Sequence, residues 1–333
     1  MAQMNKQVLL ASRPQGWVGE GNFNIVETPI PAPKEGEFLV RNLYLSLDPY
    51  MRARMNDTKS YVAPVAIGGV MAGETVGEVV ESKHPAFKPG DTVTAYTGWQ
   101  LYGISDGQRV RKVDPKLVPP SYYLGVVGMP GVTAWVGLLD IGQPKPGETV
   151  VVAAASGAVG GVVGQLAKMK GCRAVGIAGG KAKCDYVVQA LGFDACVDHR
   201  AGDFYDRLSA ATPKGIDVYF ENVGGKILDD VLRRVNPFAR IPLCGLISQY
   251  NATEPYGVKN IAALLFNRVT LRGFIVSDHL DRWPTALAEL AQGVAQGTIQ
   301  YRETVTEGLE NAPRAFIGLL KGENFGKQVV KLD

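Results

Sequence analysis

Residues Val150–Lys168 read V-V-V-A-A-A-S-G-A-V-G-G-V-V-G-Q-L-A-K. The run Thr149–Ala154 has the composition of a strand buried on both faces. It runs into Ser156-Gly157-Ala158-Val159-Gly160, after which Val162, Val163, Leu166 and Ala167 recur at helical spacing. Strand, small-residue turn and helix together aim backbone N–H groups and a positive helix end at a diphosphate. Against the template G-x-G-x-x-G the register is Ala155-x-Gly157-x-x-Gly160, with alanine in place of the first glycine. A second strand, Arg173–Ala178, follows at the distance a dinucleotide-binding unit requires.

From this stretch the pattern extends in both directions. Downstream, strands at Ala195–Asp198, Ile216–Phe220, Arg240–Cys244 and Thr270–Phe274 alternate with helices at Gly161–Lys170, Ala182–Leu191, Phe204–Ala211, Lys226–Val235 and Trp283–Gln296. Such alternation predicts an α/β fold, a parallel sheet covered on both faces. Upstream, residues 1 to about 120 are β-rich, with short strands separated by Pro29, Pro31, Pro33 and Lys88-Pro89-Gly90-Asp91. A bridging helix is expected within Ser121–Asp140, and the tail ends in a strand-like Gly326–Leu332 that returns to the first domain.

The 333 residues, 46% of them hydrophobic, are enough for two cores. A net charge of +3 without a basic block argues against nucleic acid or an anionic membrane as partner. No apolar run approaches the roughly 20 residues that span a bilayer, and Met1–Leu10 lacks the apolar core of a signal peptide. A soluble cytoplasmic protein is the expectation. Cys172, Cys184, Cys196 and Cys244 lie 12, 12 and 48 positions apart, the spacing of no zinc knuckle or redox pair, and the three histidines are scattered. No metal is expected.

About 20 residues beyond the glycine turn, an NAD enzyme carries an acid for the ribose 2′-OH. Here Ala178-Gly179-Gly180-Lys181-Ala182-Lys183 offers two lysines and no acid, which favours a 2′-phosphate and hence NADPH. Glu221-Asn222-Val223-Gly224-Gly225 and Cys244–Asn251 follow the carboxyl ends of strands, where open α/β sheets bind ligands.

Six separated motifs now carry a resemblance. They are Asn42–Arg52 (N-L-Y-L-S-L-D-P-Y-M-R), Gly128-Met129-Pro130-Gly131-x-Thr133-Ala134, Ala154-x-Ser156-Gly157-Ala158-Val159-Gly160, Glu221-Asn222-Val223-Gly224-Gly225, Ile247-Ser248-Gln249-Tyr250-Asn251 and Gly322-x-Asn324-x-Gly326-Lys327. The chain resembles, over its whole length, the zinc-independent medium-chain dehydrogenases/reductases, in particular the NADP-dependent alkenal double-bond reductases, prostaglandin reductases and curcumin reductases. The resemblance implies a GroES-like barrel of residues 1–125 and 300–333 and a Rossmann domain of residues 126–299. It implies NADPH-dependent reduction of the C=C bond of small conjugated enals and enones, and a homodimer through the edge strand Thr270–Phe274.

By position, Gly157, Ala158, Val159 and Gly160 would face the diphosphate and Lys183 the 2′-phosphate. Asn222, the Cys244–Tyr250 loop (Cys244, Gly245, Ser248, Tyr250), Phe274, Ile275, Val276 and Asn324 would line the rest of the cofactor. His199 stands where many relatives have a tyrosine, near the adenosine phosphate. The zinc enzymes' Gly-His-Glu is replaced by Gly73-Glu74-Thr75, and the first domain has no cysteine. Without Lewis-acid help, conjugate reduction is favoured over alcohol oxidation. Hydride addition to an enone builds charge on its carbonyl oxygen, and Tyr250 is the first candidate donor there, since a phenol of pKa about 10 stays protonated at neutral pH. Tyr50 and Tyr61 are candidates for the substrate wall or for a proton donor. The alternatives are a zinc-independent quinone reductase and a non-catalytic NADPH-binding protein, which need not keep a donor such as Tyr250.

Overall fold

The valine-rich run is a strand, Thr149–Ala153, every residue of which is buried; the structure is a computed structural model and describes residues 4–332. Two compact units emerge: the residues up to Gly125 together with those from Glu303 onward, and Val126–Arg302.

In the second unit, six strands pair in the spatial order Ala195–Asp198, Arg173–Ala178, Thr149–Ala153, Ile216–Phe220, Val235–Leu243, Thr270–Gly273. Every pairing is parallel. Counted along the chain this is the order 3-2-1-4-5-6 of a Rossmann sheet, whose strand order reverses between Thr149–Ala153 and Ile216–Phe220. Its core joins Val151, Val175 and Ile177 from the first strands to Tyr219, Ile241, Leu228 and Val231. Such strands read as continuous apolar runs because helices cover both their faces.

Two departures from the sequence pattern have local causes. The strand Val235–Leu243 starts five residues before the expected Arg240, across a register shift and a left-handed Phe238 (φ 65°), because Pro237 interrupts the apolar run from which a strand is recognised. The expected bridging helix begins only at Met129, with Pro130 in its first turn, and after Trp135 it continues as a wider π-type stretch, Val136–Gly142.

The first unit is built on a seven-stranded sheet around the long strand Phe38–Leu47, which pairs with Thr75–Ser82, Tyr102–Ser105 and the C-terminal Lys327–Lys331. The tail also supplies the strand Glu303–Glu307 and the helix Ala312–Leu320, neither of which has a strong pattern in the sequence. That helix buries Ala312, Phe316, Leu319 and Leu320 against Trp99 and Leu45 in the barrel core. A buried ion pair fixes the return of the tail. Lys327, 1% exposed, donates to Leu47 O at 2.8 Å and to Asp48 Oδ1 at 2.7 Å, and Ser46 donates to the other oxygen of Asp48. Removing one partner of such a pair costs about 3–5 kcal/mol, because the other charge is left buried alone. Among the described residues, no helix is long and apolar enough to cross a membrane.

Candidate functional site

At the end of the strand Thr149–Ala153 the backbone turns left-handed at Ala154 (φ 52°), a conformation that costs a residue with a Cβ roughly 1–2 kcal/mol. The Ala154 carbonyl then accepts the Gly157 N–H at 2.9 Å. A Cβ on Gly160 would lie 2.4 Å from that same oxygen, so only glycine lets the helix Gly160–Met169 start against the turn. Ala155, where the template expects glycine, is fully buried. The neighbouring strand makes room for it: a Cβ on Gly176 would stand 2.8 Å from the Ala155 methyl. Gly157, Ala158, Val159 and Gly160 therefore form a tight turn into a helix N-terminus, whose first N–H groups have no acceptor within the helix.

The second strand ends at a cluster of nitrogen-bearing side chains. A Cβ on Gly179 would meet both His199 Nε2 and Arg200 Nε at 2.9 Å. Asp198 Oδ1 accepts the N–H groups of Gly180 (2.8 Å) and Arg200 (2.9 Å), which closes one loop on the other. Burial, and then the charge of Arg200, push the Lys183 ammonium below its ordinary value. The same two causes, in the same order, lower His199 and hold its imidazole neutral at pH 7. Like charges gathered in this way are relieved by an anion, and the half-buried Gly180, with no atom within 4 Å of where a Cβ would stand, leaves room for one. Residues 179–183 thus fit a phosphate, with Arg200 as a contributor that the sequence reading missed. The signal for it was a cation two residues past the third strand.

At the switch point, Asn222 donates through Nδ2 to Ala153 O at 2.8 Å and ties the two central strands together just before the glycine turn. Glu221, fully buried, accepts the N–H groups of Val223 and Gly224 (2.9 Å for the latter). The loop beyond the next strand docks on this one: the N–H groups of Cys244 and Gly245 reach Glu221 O, and Ser248 donates to Val223 O at 2.6 Å. Desolvation and the neighbouring Glu221 push the Cys244 thiol up to about 12, which leaves it no thiolate character at neutral pH. The Tyr250 hydroxyl oxygen receives the Leu246 N–H at 3.3 Å. An N–H arriving at a phenol oxygen strengthens its O–H as a donor. Phe274 stands edge-on to Phe220 at 6.4 Å, with Ile275 and Val276 following half-buried.

In the first unit, Tyr50 and Tyr61 flank the short helix Met51–Arg54, and Asn324 donates to Gly326 O at 2.8 Å. Burial, then the charge of Asp48, push the Tyr50 phenol well above its ordinary range, so it stays protonated. Glu74 is buried, its Oε2 has no hydrogen-bond partner, and burial raises its carboxyl to about 7. No histidine stands beside it in the sequence. Among the described residues no group of three or more His, Cys, Asp or Glu side chains could hold a metal ion.

Residues 6–113 match the family described as the N-terminal domain of oxidoreductase, and residues 158–292 the family described as zinc-binding dehydrogenase. Among the described residues, the side chains do not fit the zinc ion of that second description. The chain is 54% identical to the NADPH-dependent curcumin reductase of Escherichia coli (strain K12), over 99% of this chain and 97% of that one. It is 45% identical to the NADP(+)-dependent 2-alkenal reductase of Nicotiana tabacum, over 98% of this chain and 97% of the relative. The crystal structure of CurA from Vibrio vulnificus in complex with NADPH, also 54% identical, superposes with a TM-score of 0.94 and covers 98% of this chain and 99% of that one.

Glu221 gives the nucleotide unit a signature in pH. Burial raises its carboxyl from the ordinary 4.5 to about 7. Between those values the folded chain keeps a proton that the unfolded chain has lost, so stability falls as pH rises through the window, by on the order of 3 kcal/mol. Glu221→Gln, which keeps an acceptor for the Val223 and Gly224 N–H groups, is expected to remove that share of the slope. Urea midpoints of both proteins at pH 5 and pH 8 check it. An equal loss in the two would show that Glu221 ionises normally in the fold.

Proposed function

The chain belongs to the medium-chain dehydrogenase/reductase family, and from that membership we propose that it uses NADPH to reduce the C=C bond of α,β-unsaturated aldehydes and ketones. The observation that carries this reading is the likeness, end to end, to a curcumin reductase and a 2-alkenal reductase. Both names denote compounds whose double bond is conjugated to a carbonyl. The preference for NADPH has its own support in Lys183 and Arg200 at the glycine pair.

On this reading the turn Gly157–Gly160 receives the diphosphate, and Lys183 with Arg200 the 2′-phosphate, beside His199. Asn222, Cys244, Gly245, Ser248, Phe274, Ile275, Val276 and Asn324 line the remainder of the cofactor. When bound, the reduced nicotinamide supplies a hydride to the β-carbon of the enone. The π electrons move onto the carbonyl oxygen, and Tyr250 is proposed to donate a hydrogen bond to the charge that develops there. One proton then completes the saturated carbonyl, so each turnover consumes one NADPH and one proton. Tyr50 and Tyr61 are proposed to contact the substrate, their rings suiting flat, conjugated molecules.

The reading extends to a cytoplasmic homodimer. Four free thiols suit a reducing compartment. The edge strand Thr270–Gly273 is exposed along its whole length, with Leu271 and, nearby, Ile261, Leu265, Phe266 and Phe238 exposed. An uncovered apolar edge of this kind is a ready surface for a second copy.

Absorbance at the nicotinamide band, with a panel of enals and enones, should show NADPH consumed, NADH used poorly, and a saturated carbonyl formed. Lys183→Ala should cut the preference for NADPH over NADH by about ten-fold, the loss of one charge-assisted contact. An allylic alcohol as product, its double bond intact, or an unaltered preference, would count against the corresponding assignment. Tyr250→Phe should lower kcat by about 10²-fold with NADPH affinity kept, as for loss of an oxyanion donor; an unchanged rate removes Tyr250 from that role. Sedimentation equilibrium at micromolar concentration should return twice the chain mass of 35.7 kDa, and a single chain mass would rule out the dimer.

A further inference from the structure

Arg54 ends the short helix that Tyr50 precedes, and its guanidinium carbon lies 5.2 Å from the centre of the Tyr50 ring and 5.7 Å from that of Tyr61. Both distances are within cation–π range. The arrangement is fixed by the backbone, since Arg54 O accepts the Val65 N–H at 2.8 Å and folds the segment carrying Tyr61 back onto the helix. Met55 and Val65 on either side of that bond are buried.

The charge itself is not neutralised. Arg54 Nε is fully buried without a hydrogen-bond partner, and no carboxylate among the described residues pairs with the guanidinium. The acids closest in sequence are engaged elsewhere: Asp57 lies 3.9 Å from Arg13, and Asp48 is held by Lys327 at 2.7 Å. The neighbouring Arg52, by contrast, is satisfied by Asn56 Oδ1 at 2.6 Å and Gly16 O at 2.9 Å. Ring faces attract a cation but accept no proton from it, so the donors of Arg54 are left for a group the chain does not supply. A planar fork of N–H donors suits a carboxylate or phenolate better than it suits a neutral alkyl chain.

We infer that Arg54, set between Tyr50 and Tyr61, is a specificity-determining residue that recognises an anionic oxygen group carried by the enone away from its reacting double bond. The inference rests on the reading of Tyr50 and Tyr61 as substrate contacts, and it narrows the substrate class from enones in general to enones bearing an acidic oxygen. Because such a contact is made equally before and during hydride transfer, it acts on KM and leaves kcat nearly unchanged.

Cinnamaldehyde and 4-carboxycinnamaldehyde separate the possibilities, each assayed with NADPH on the intact protein. The wild type should prefer the carboxylated aldehyde by about ten-fold in kcat/KM, through KM, the worth of one charge-assisted contact. Arg54→Met should abolish that preference, so that the ratio of kcat/KM for the two aldehydes falls to about one. Arg54→Lys, which keeps the charge and the stem but loses the fork, should retain part of the preference and shows that the site still folds. A wild type without preference, or a ratio unmoved by Arg54→Met, overturns the inference. Equal losses on both aldehydes also overturn it, and would place Arg54 on the reacting carbonyl or in the fold. Turnover of neither aldehyde by the wild type would instead overturn the enone reading itself.

Discussion

One carbonyl oxygen, that of Ala154, sets the geometry on which the nucleotide unit depends. It receives the Gly157 N–H at 2.9 Å and leaves a hypothetical Cβ on Gly160 only 2.4 Å of space. Strand, turn and helix are therefore locked within one residue of each other, with the helix N-terminus aimed beyond the carboxyl ends of the strands. The left-handed conformation of Ala154 is a local cost that a surface loop would shed by relaxing. It persists because its flanks are fixed. The Asn222 amide holds Ala153 O at 2.8 Å on one side, and on the other the Ala155 methyl is seated where Gly176 gives way.

The loops beyond the central strands extend this constraint. Glu221 is at once the end of a strand, the acceptor for two N–H groups of its own loop and, through its carbonyl, the acceptor for Cys244 and Gly245. Burying a carboxyl there raises it to about 7, and the neighbouring Cys244 thiol rises with it. Two loops that would otherwise move independently are fastened to one buried group. Asn222, Ser248 and the Tyr250 hydroxyl are held at fixed points along them.

Much of this was legible in the residues, for reasons that differ by feature. The all-parallel sheet was visible because strands covered on both faces become uninterrupted apolar runs, and the switch point follows from their order. The glycine turn was visible because a close approach of backbone to backbone excludes every other residue type. Strand Glu303–Glu307 was not, since its half-exposed alternation of Glu and Thr has no apolar stripe. Helix Ala312–Leu320 was missed because it follows a 3₁₀ turn and carries Pro313, although proline is well placed in a first turn. Arg54 was illegible for another reason, and Arg200 showed only as a cation two residues past the third strand. Nothing in a sequence distinguishes a cation that finds a carboxylate from one that lies on rings or beside another cation; only the pairing of every other acid in space does so.

That distinction orders the charges of the whole chain. Two cations that hold the fold are paired: the buried Lys327 closes the tail onto Asp48 at 2.7 Å, and the half-buried Arg240 reaches Glu148 while its other donors meet the carbonyls of Gly142 and Gln143. At the ends of the second and third strands Lys183 and Arg200 converge beside His199, and the charge of Arg200 adds to burial in loosening the hold of Lys183 and His199 on their protons. Convergence of like charges destabilises a free protein and is repaid only when an anion arrives. Arg54 between its two tyrosines is the third case, a cation with its attraction supplied by rings and its hydrogen bonds unspent. Paired cations therefore mark what holds the chain together. The cations that converge or stand on rings mark where, on the proposed reading, phosphate and substrate are told apart from their uncharged counterparts.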